Sequence, residues 1–308
     1  MRYVIFSILF SIEAFCQVGQ MPYPIQFSIP EDRVVEKIPE KDTDFAPLIP
    51  GNFSTYNYFE ESVYFHDYQR SYYALTWKKG GWDCLRHYEI LASGCIPYFV
   101  GLENCSPNTM TLLPKELILE AMHLEGVSCG KIDHSKFNIK RYYEIVNELI
   151  AFTREHLTTR KMAQHLLDTM QYKGNGTVLF ISEDSRPDYM RCLTLAGLKQ
   201  ALGNRVVDIP KIEHIYKTYP KDEKELYGRG FTYTKIIDDL PVDRENIEER
   251  IRNREFELVI YGSVHRGTPY LDLVKKNYKE EEIAYICGED SHSCSLKTWH
   301  NFFLREFN

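Results

Sequence analysis

The sequence predicts an α/β protein of two units, each with a mostly parallel, doubly wound sheet and helices on both faces. Three observations carry this expectation. The chain has 308 residues, twice the roughly 150 that one ordinary core accommodates. Apolar strand-like runs alternate with helical patterns between residues 72 and 287, the order that buries a parallel sheet between helices. A polar break, Lys173-Gly174-Asn175-Gly176, interrupts this alternation and divides the chain into 1–172 and 173–308.

Met1-Arg2, an apolar run over residues 3–10 and the small-residue pattern Ala14-Phe15-Cys16 are the features of a secretory signal peptide, and a buried β-branched strand accounts for them equally well. The triplets at Asn52, Asn104 and Asn175 would carry glycan only in the secretory case. Residues 20–55 hold six prolines among charged side chains and read as an extended loop. Residues 72–77 then form a strand, 78–81 a basic glycine turn, 83–93 a helix and 95–100 a second strand, which is a β-α-β unit.

Helical patterns follow over 139–155 and 159–172, with Thr158 or Thr159 as the N-cap between them. Beyond the break, 177–182 is a buried strand, 189–202 a helix stopped by Gly203, and 206–209 a strand. A helix over 245–253, a strand over 257–262, a helix over 268–277 and a strand over 283–287 complete the series. No internal repeat is present, and past the N-terminus no run approaches the 18 or so apolar residues of a membrane span.

Hydrophobic residues at 44% and charged residues at 26% place the chain among ordinary globular proteins rather than disordered ones. A net charge of −7 argues against a nucleic-acid partner, which needs a positive stripe to release counterions. The 22 Tyr and 17 Phe suit stacking on sugars and equally suit filling two cores. The eight cysteines show no C-x-x-C spacing, which reads against a zinc site and fits small buried hydrophobes in a reducing compartment better than a disulfide scaffold.

The chemistry-bearing segment is Lys78-Lys79-Gly80-Gly81-Trp82-Asp83-Cys84-Leu85-Arg86-His87-Tyr88-Glu89. Backbone amides between a strand end and a helix start favour an anion such as a diphosphate. Lys78, Lys79 and Arg86 add positive charge there, and Glu89 is placed to accept from ribose hydroxyls. Helical periodicity puts Cys84, Leu85, Tyr88, Leu91 and Ala92 on one side and Asp83, Arg86, His87 and Glu89 on the other, so one side packs and the other is available to a ligand. The plainer account of the same residues is a solvated loop followed by an Arg86–Glu89 ion pair. No G-x-x-x-x-G-K-[ST] is present, which disfavours a P-loop NTPase.

Arg86-His87-Tyr88-Glu89 followed by Gly94-Cys95-Ile96-Pro97 resembles the R-x-x-E…G-C-I-P element of exostosin-like glycosyltransferases, and the run KKGGWDC-RHYEI resembles viral and microbial glycosyltransferase-like families. The similarity covers most of the chain. It implies a GT-B-like architecture of two Rossmann-like domains, a nucleotide-sugar substrate with no metal or other cofactor, and a glycan or other hydroxyl acceptor. In GT-B enzymes the donor domain usually comes second, whereas the donor-like motif here comes first. On this reading 1–172 is the donor-binding domain, and Gly80 and Gly81 lie against the diphosphate.

Three strand-end loops of the second half supply the remaining candidates, since ligands bind beyond the carboxyl ends of parallel strands. They are Ser182 to Tyr189, Tyr261 to Gly267, and Cys287 to His292. His265, Asp290 and Asp184 are the candidate bases, and Arg266 is a candidate electrostatic partner with Arg86. Asp188 is read as an N-cap, and Tyr227-Gly228-Arg229-Gly230-Phe231 as a glycine-bearing loop near the cleft. Ser263 and His265 lack the G-x-S-x-G context of a hydrolase. The alternative function is a non-catalytic carbohydrate- or nucleotide-binding module on the same fold.

Overall fold

The computed structural model describes residues 21–290, 294 and 299–307; the reading of residues 1–16 lies outside these. Six strands, β1 (Tyr23–Pro24), β7 (Thr177–Ile181), β8 (Val206–Ile209), β9 (Phe256–Tyr261), β10 (Ile283–Cys287) and β11 (Asn301–Leu304), form one sheet in the order β1-β11-β10-β9-β7-β8. Every pairing in it is parallel. Successive side chains point to opposite faces, and both sets are apolar. Val178 and Phe180 join one core, while Leu179 and Ile181 join another. This is the near-continuous hydrophobicity that a sheet covered on both sides requires.

Helices α5 (Thr159–Thr169) and α6 (Tyr189–Leu202) cover the first face, through Leu166, Leu195 and their neighbours. Helices α7 (Ile247–Arg252) and α8 (Leu271–Asn277) cover the second through Ile251 and Val274. The chain runs from β7 outward to β8 and then returns past β7 to β9. The reversal leaves a crevice at the carboxyl ends of β7 and β9, where open α/β sheets bind ligands.

The first half builds a smaller sheet of β2 (Thr43–Phe45), β3 (Ser71–Trp77) and β4 (Ile96–Val100), also parallel. Helix α1 (Glu61–Gln69) packs Tyr64, Phe65 and Tyr68 on one face, with Ala74 and Ile90. On the other face Tyr73, Ile96 and Phe99 share a single apolar cluster with Val178, Phe180 and Leu258 of the larger sheet. The two sheets are thereby joined through a continuous core that includes α2 (Leu85–Ala92), α4 (Ile139–Phe152), α5 and α6.

The two ends of the described chain tie the halves together. β1 pairs with β11, and the Phe307 amide reaches Thr109 at 2.8 Å; within the first half Phe27 donates its amide to Asp83 at 2.8 Å. Over the described residues 21–55 the extended reading of this stretch holds except for β1, β2 and short 3-10 turns. Strands of two or three residues exist through their pairing and carry no periodic signal of their own.

Gly197 sets how closely α6 approaches α5: a side-chain carbon there would collide with the Thr159 carbonyl. Gly197→Ala is expected to destabilise the fold by about 1–3 kcal/mol through overpacking. A lower urea midpoint at unchanged m-value checks this.

Candidate active site

The carboxyl ends of β3, β7, β9, β10 and β11 open onto one cavity of about 1060 Å³. Its lining brings together Lys79, Gly80, Gly81, Arg86 and Glu89 from the first half with Asp188, His265, Arg266 and Asp290 from the second. Two predicted residues are not among those that line it. Lys78 turns its ammonium over the Trp82 ring, 5.3 Å from the centroid. Asp184 is bound by Arg186 at 2.5 Å and by the fully buried Arg191 at 3.3 Å, and it is spent on that pairing rather than available as a base.

The glycine turn does not present an empty anion nest. The Asp83 amide, at the start of α2, donates to Glu306 at 2.8 Å, so a carboxylate of the chain itself occupies the expected diphosphate position. Arg305, 1% exposed, holds the assembly together. It bonds the Asp83 carbonyl at 2.5 Å, Glu306 at 3.1 Å, the Gly288 carbonyl at 2.9 Å and the Asp290 carboxylate. A side-chain carbon at Gly80 would come within 2.5 Å of Asp290, and one at Gly81 would collide with Glu306. A side chain at either glycine would displace a member of this carboxylate pair. Burial pushes Glu306 upward and raises Asp83 to about 6.

The supposed open side of α2 is largely closed. Every residue of the helix except Arg86 is buried. His87 has no exposed surface; its ring bonds Thr76 at 3.1 Å and the Trp82 carbonyl at 2.9 Å and lies 4.4 Å from the Phe99 ring. Glu89 accepts from Tyr64 and from Thr232, each at 2.5 Å, one at either oxygen, so protein hydroxyls take the bonds expected of ribose. Burial raises the Glu89 carboxyl above its ordinary range.

Burial lowers His87 to about 3, which gives a pH prediction. An unfolded histidine titrates near 6.5, so below that pH the unfolded chain binds a proton the native state refuses. The contribution is complete above about pH 6.5 and is lost as pH falls toward 3. His87→Gln is expected to lose about 2 kcal/mol less stability than the parent between pH 7 and pH 5, as denaturant titrations at the two pH values would show. Asp83 works in the opposite sense, its raised pKa making stability fall as pH rises toward 6, and is common to both proteins.

Arg86 differs from its neighbours on α2. It is largely buried and faces the cavity; its Nη2 donates to Tyr56 at 3.1 Å and its Nε has no partner among the described residues. Among the described residues it makes no ion pair, so the Arg86–Glu89 bridge does not form. Lys79, exposed and likewise unpaired among the described residues, stands 5.9 Å from the same Tyr56 ring. Tyr56 was not among the predicted residues, and it lies in the proline-rich stretch's aftermath where nothing marked it.

Across the cavity Asp188 caps α6 by accepting from the Arg191 amide at 3.0 Å. Its other oxygen takes Ser263 and Arg266 at 2.9 Å each and lies 3.5 Å from Nε2 of His265. Burial opposes its charge, yet these donors hold the carboxyl well below the usual range. Ser263 and His265 both address Asp188 instead of each other, which excludes the hydrolase arrangement. Nε2 of His265 also meets Glu289 at 3.2 Å, and Glu289 is 38% exposed at the cavity wall. Tyr227, Gly228, Arg229 and Phe231 line the cavity as their glycine spacing suggested.

No family model, curated protein or solved structure matches the chain. No helix among the described residues is long and apolar enough to cross a membrane.

Proposed function

We propose that the cavity binds a nucleoside diphosphate sugar and that the chain transfers the sugar to a hydroxyl acceptor. Arg86 carries this reading. A guanidinium held in a largely buried place without a carboxylate partner is unfavourable unless an anion completes it, and Lys79 adds a second unpaired cation on the same wall. Diphosphate oxygens accept bidentate bonds from a guanidinium, and the two cations stabilise charge that grows on the leaving diphosphate. Tyr58, Tyr189 and Tyr227 line the same space and offer ring faces for a base or sugar.

Glu289 is the proton acceptor in this reading, with His265 as the residue that positions it. The acceptor's O–H proton passes to Glu289, its oxygen bonds the anomeric carbon, and the bond from that carbon to the diphosphate oxygen breaks with its electron pair left on the diphosphate. Two parallel sheets turning their carboxyl ends to one cleft is the layout a GT-B-like enzyme requires, with the three-stranded side as donor half. Glu289→Gln is expected to lower turnover of a bound donor about 10²- to 10⁴-fold with donor affinity kept. Unchanged turnover in that variant removes Glu289 from the role, and donor binding without any turnover by the parent returns the protein to the non-catalytic module.

A further inference from the structure

Behind the cavity wall Cys287, the last residue of β10, is disulfide-bonded to Cys294. The expectation of unpaired cysteines fails here, because Cys287 and Cys294, seven positions apart, are bonded to each other. Both are buried. A ring nitrogen of His265 and the two sulfurs lie within 4.8 Å of one another. The His265 side chain is 10% exposed, its Nε2 faces Asp188 and Glu289, and its Nδ1 is buried with no hydrogen-bond partner among the described residues.

We infer that, once this disulfide is opened, His265, Cys287 and Cys294 form a binding site for a soft divalent cation of the zinc type. The carboxylates at Nε2 favour the tautomer that carries its proton there, which leaves the Nδ1 lone pair as the ligand; histidines that bind metal are oriented by a carboxylate in this way. A disulfide has no proton to offer that lone pair, whereas two thiolates and a cation satisfy it. A tetrahedral ion about 2.3 Å from each sulfur sets ligand atoms about 3.8 Å apart, inside the span of these three. Three protein ligands leave the fourth position to water or another exchangeable group. The absence of C-x-x-C spacing concealed the site, since its third ligand comes from the loop after β9.

Opening the bond takes two electrons and two protons from a dithiol, which is itself oxidised to its disulfide, and metal binding then releases the two thiol protons. Occupancy follows redox state, and the inference stands whether or not the cavity binds a nucleotide sugar.

The test uses the full chain, oxidised or reduced with a water-soluble phosphine that is then removed, and titrated with cobalt(II) or zinc(II) alone. The reduced protein is expected to take up about one equivalent of cobalt with a thiolate-to-cobalt charge-transfer band, displaced by zinc, and the oxidised protein less than about a tenth of that. Cys294→Ser is expected to abolish the band. His265→Ala, which leaves the disulfide intact when oxidised, is expected to weaken cobalt binding at least about tenfold after reduction. If reduction unfolds the chain, refolding on addition of zinc supports the site and failure to refold overturns it. A folded, reduced protein that binds no cobalt, or that keeps full binding in both variants, also overturns it.

Discussion

Replacing Arg86 by methionine is expected to weaken nucleotide-sugar binding by on the order of a hundredfold while leaving the unliganded protein at least as stable as before. The two halves of this outcome belong together. Removing one partner of a buried charge pair in a complex costs about 2–5 kcal/mol, and Arg86 would contribute that pair only when a diphosphate is present. Without ligand its guanidinium sits largely buried, with one bond to Tyr56 and an unpartnered Nε. Methionine fills similar space and removes the desolvated charge. Calorimetric titration of donor, paired with thermal melts of the unliganded proteins, separates this from a structural role, in which stability would fall as well.

Arg305→Met is expected to have the opposite signature, a loss of about 3–5 kcal/mol in unfolding free energy. Arg305 is 1% exposed, and four partners depend on it: the Asp83 and Gly288 carbonyls, Glu306 and Asp290. Methionine would leave Glu306, 5% exposed, with only backbone amides to offset its charge. The Gly80-Gly81 turn, packed against Asp290 and Glu306, would lose its support, so donor affinity should fall secondarily. Urea denaturation measures the first effect, and an unfolding free energy within about 0.5 kcal/mol of the parent would contradict this role of Arg305.

What the sequence disclosed depended on how local the cause was. Strands β8 and β10 and helix α6 have the bounds the pattern predicts, because short apolar-rich runs and the stop at Gly203 are local signals. The strand-end loops that line the cavity follow from strand order alone, and Arg266, His265 and Asp290 stand at its wall by that route. Asp188 was legible as a cap but not as the hub for Ser263, His265 and Arg266, which requires β9 to lie beside β7.

The faces of α2 were misread for a related reason. Periodicity tells which residues share a side, and it is silent on whether another layer covers that side; His87 and Glu89 are covered by Phe99, Tyr64 and Thr232. The anion nest was misread because Glu306, which fills it, is 223 positions from Asp83 and follows β11, a four-residue strand. The apolar run Phe302-Phe303-Leu304 was the available clue to that strand. Helix α1 and Tyr56 gave no comparable signal.

Nucleotide-sugar binding is tested by calorimetric titration of the folded protein with a panel of UDP-, GDP- and ADP-sugars, beside Arg86→Met and at two salt concentrations. One nucleotide class is expected to bind, with an affinity that falls with added salt as charge-paired phosphate requires and that is weaker by on the order of a hundredfold in the variant. A folded parent protein that binds none of them, or an Arg86→Met protein that binds as well as the parent, would contradict the proposed function.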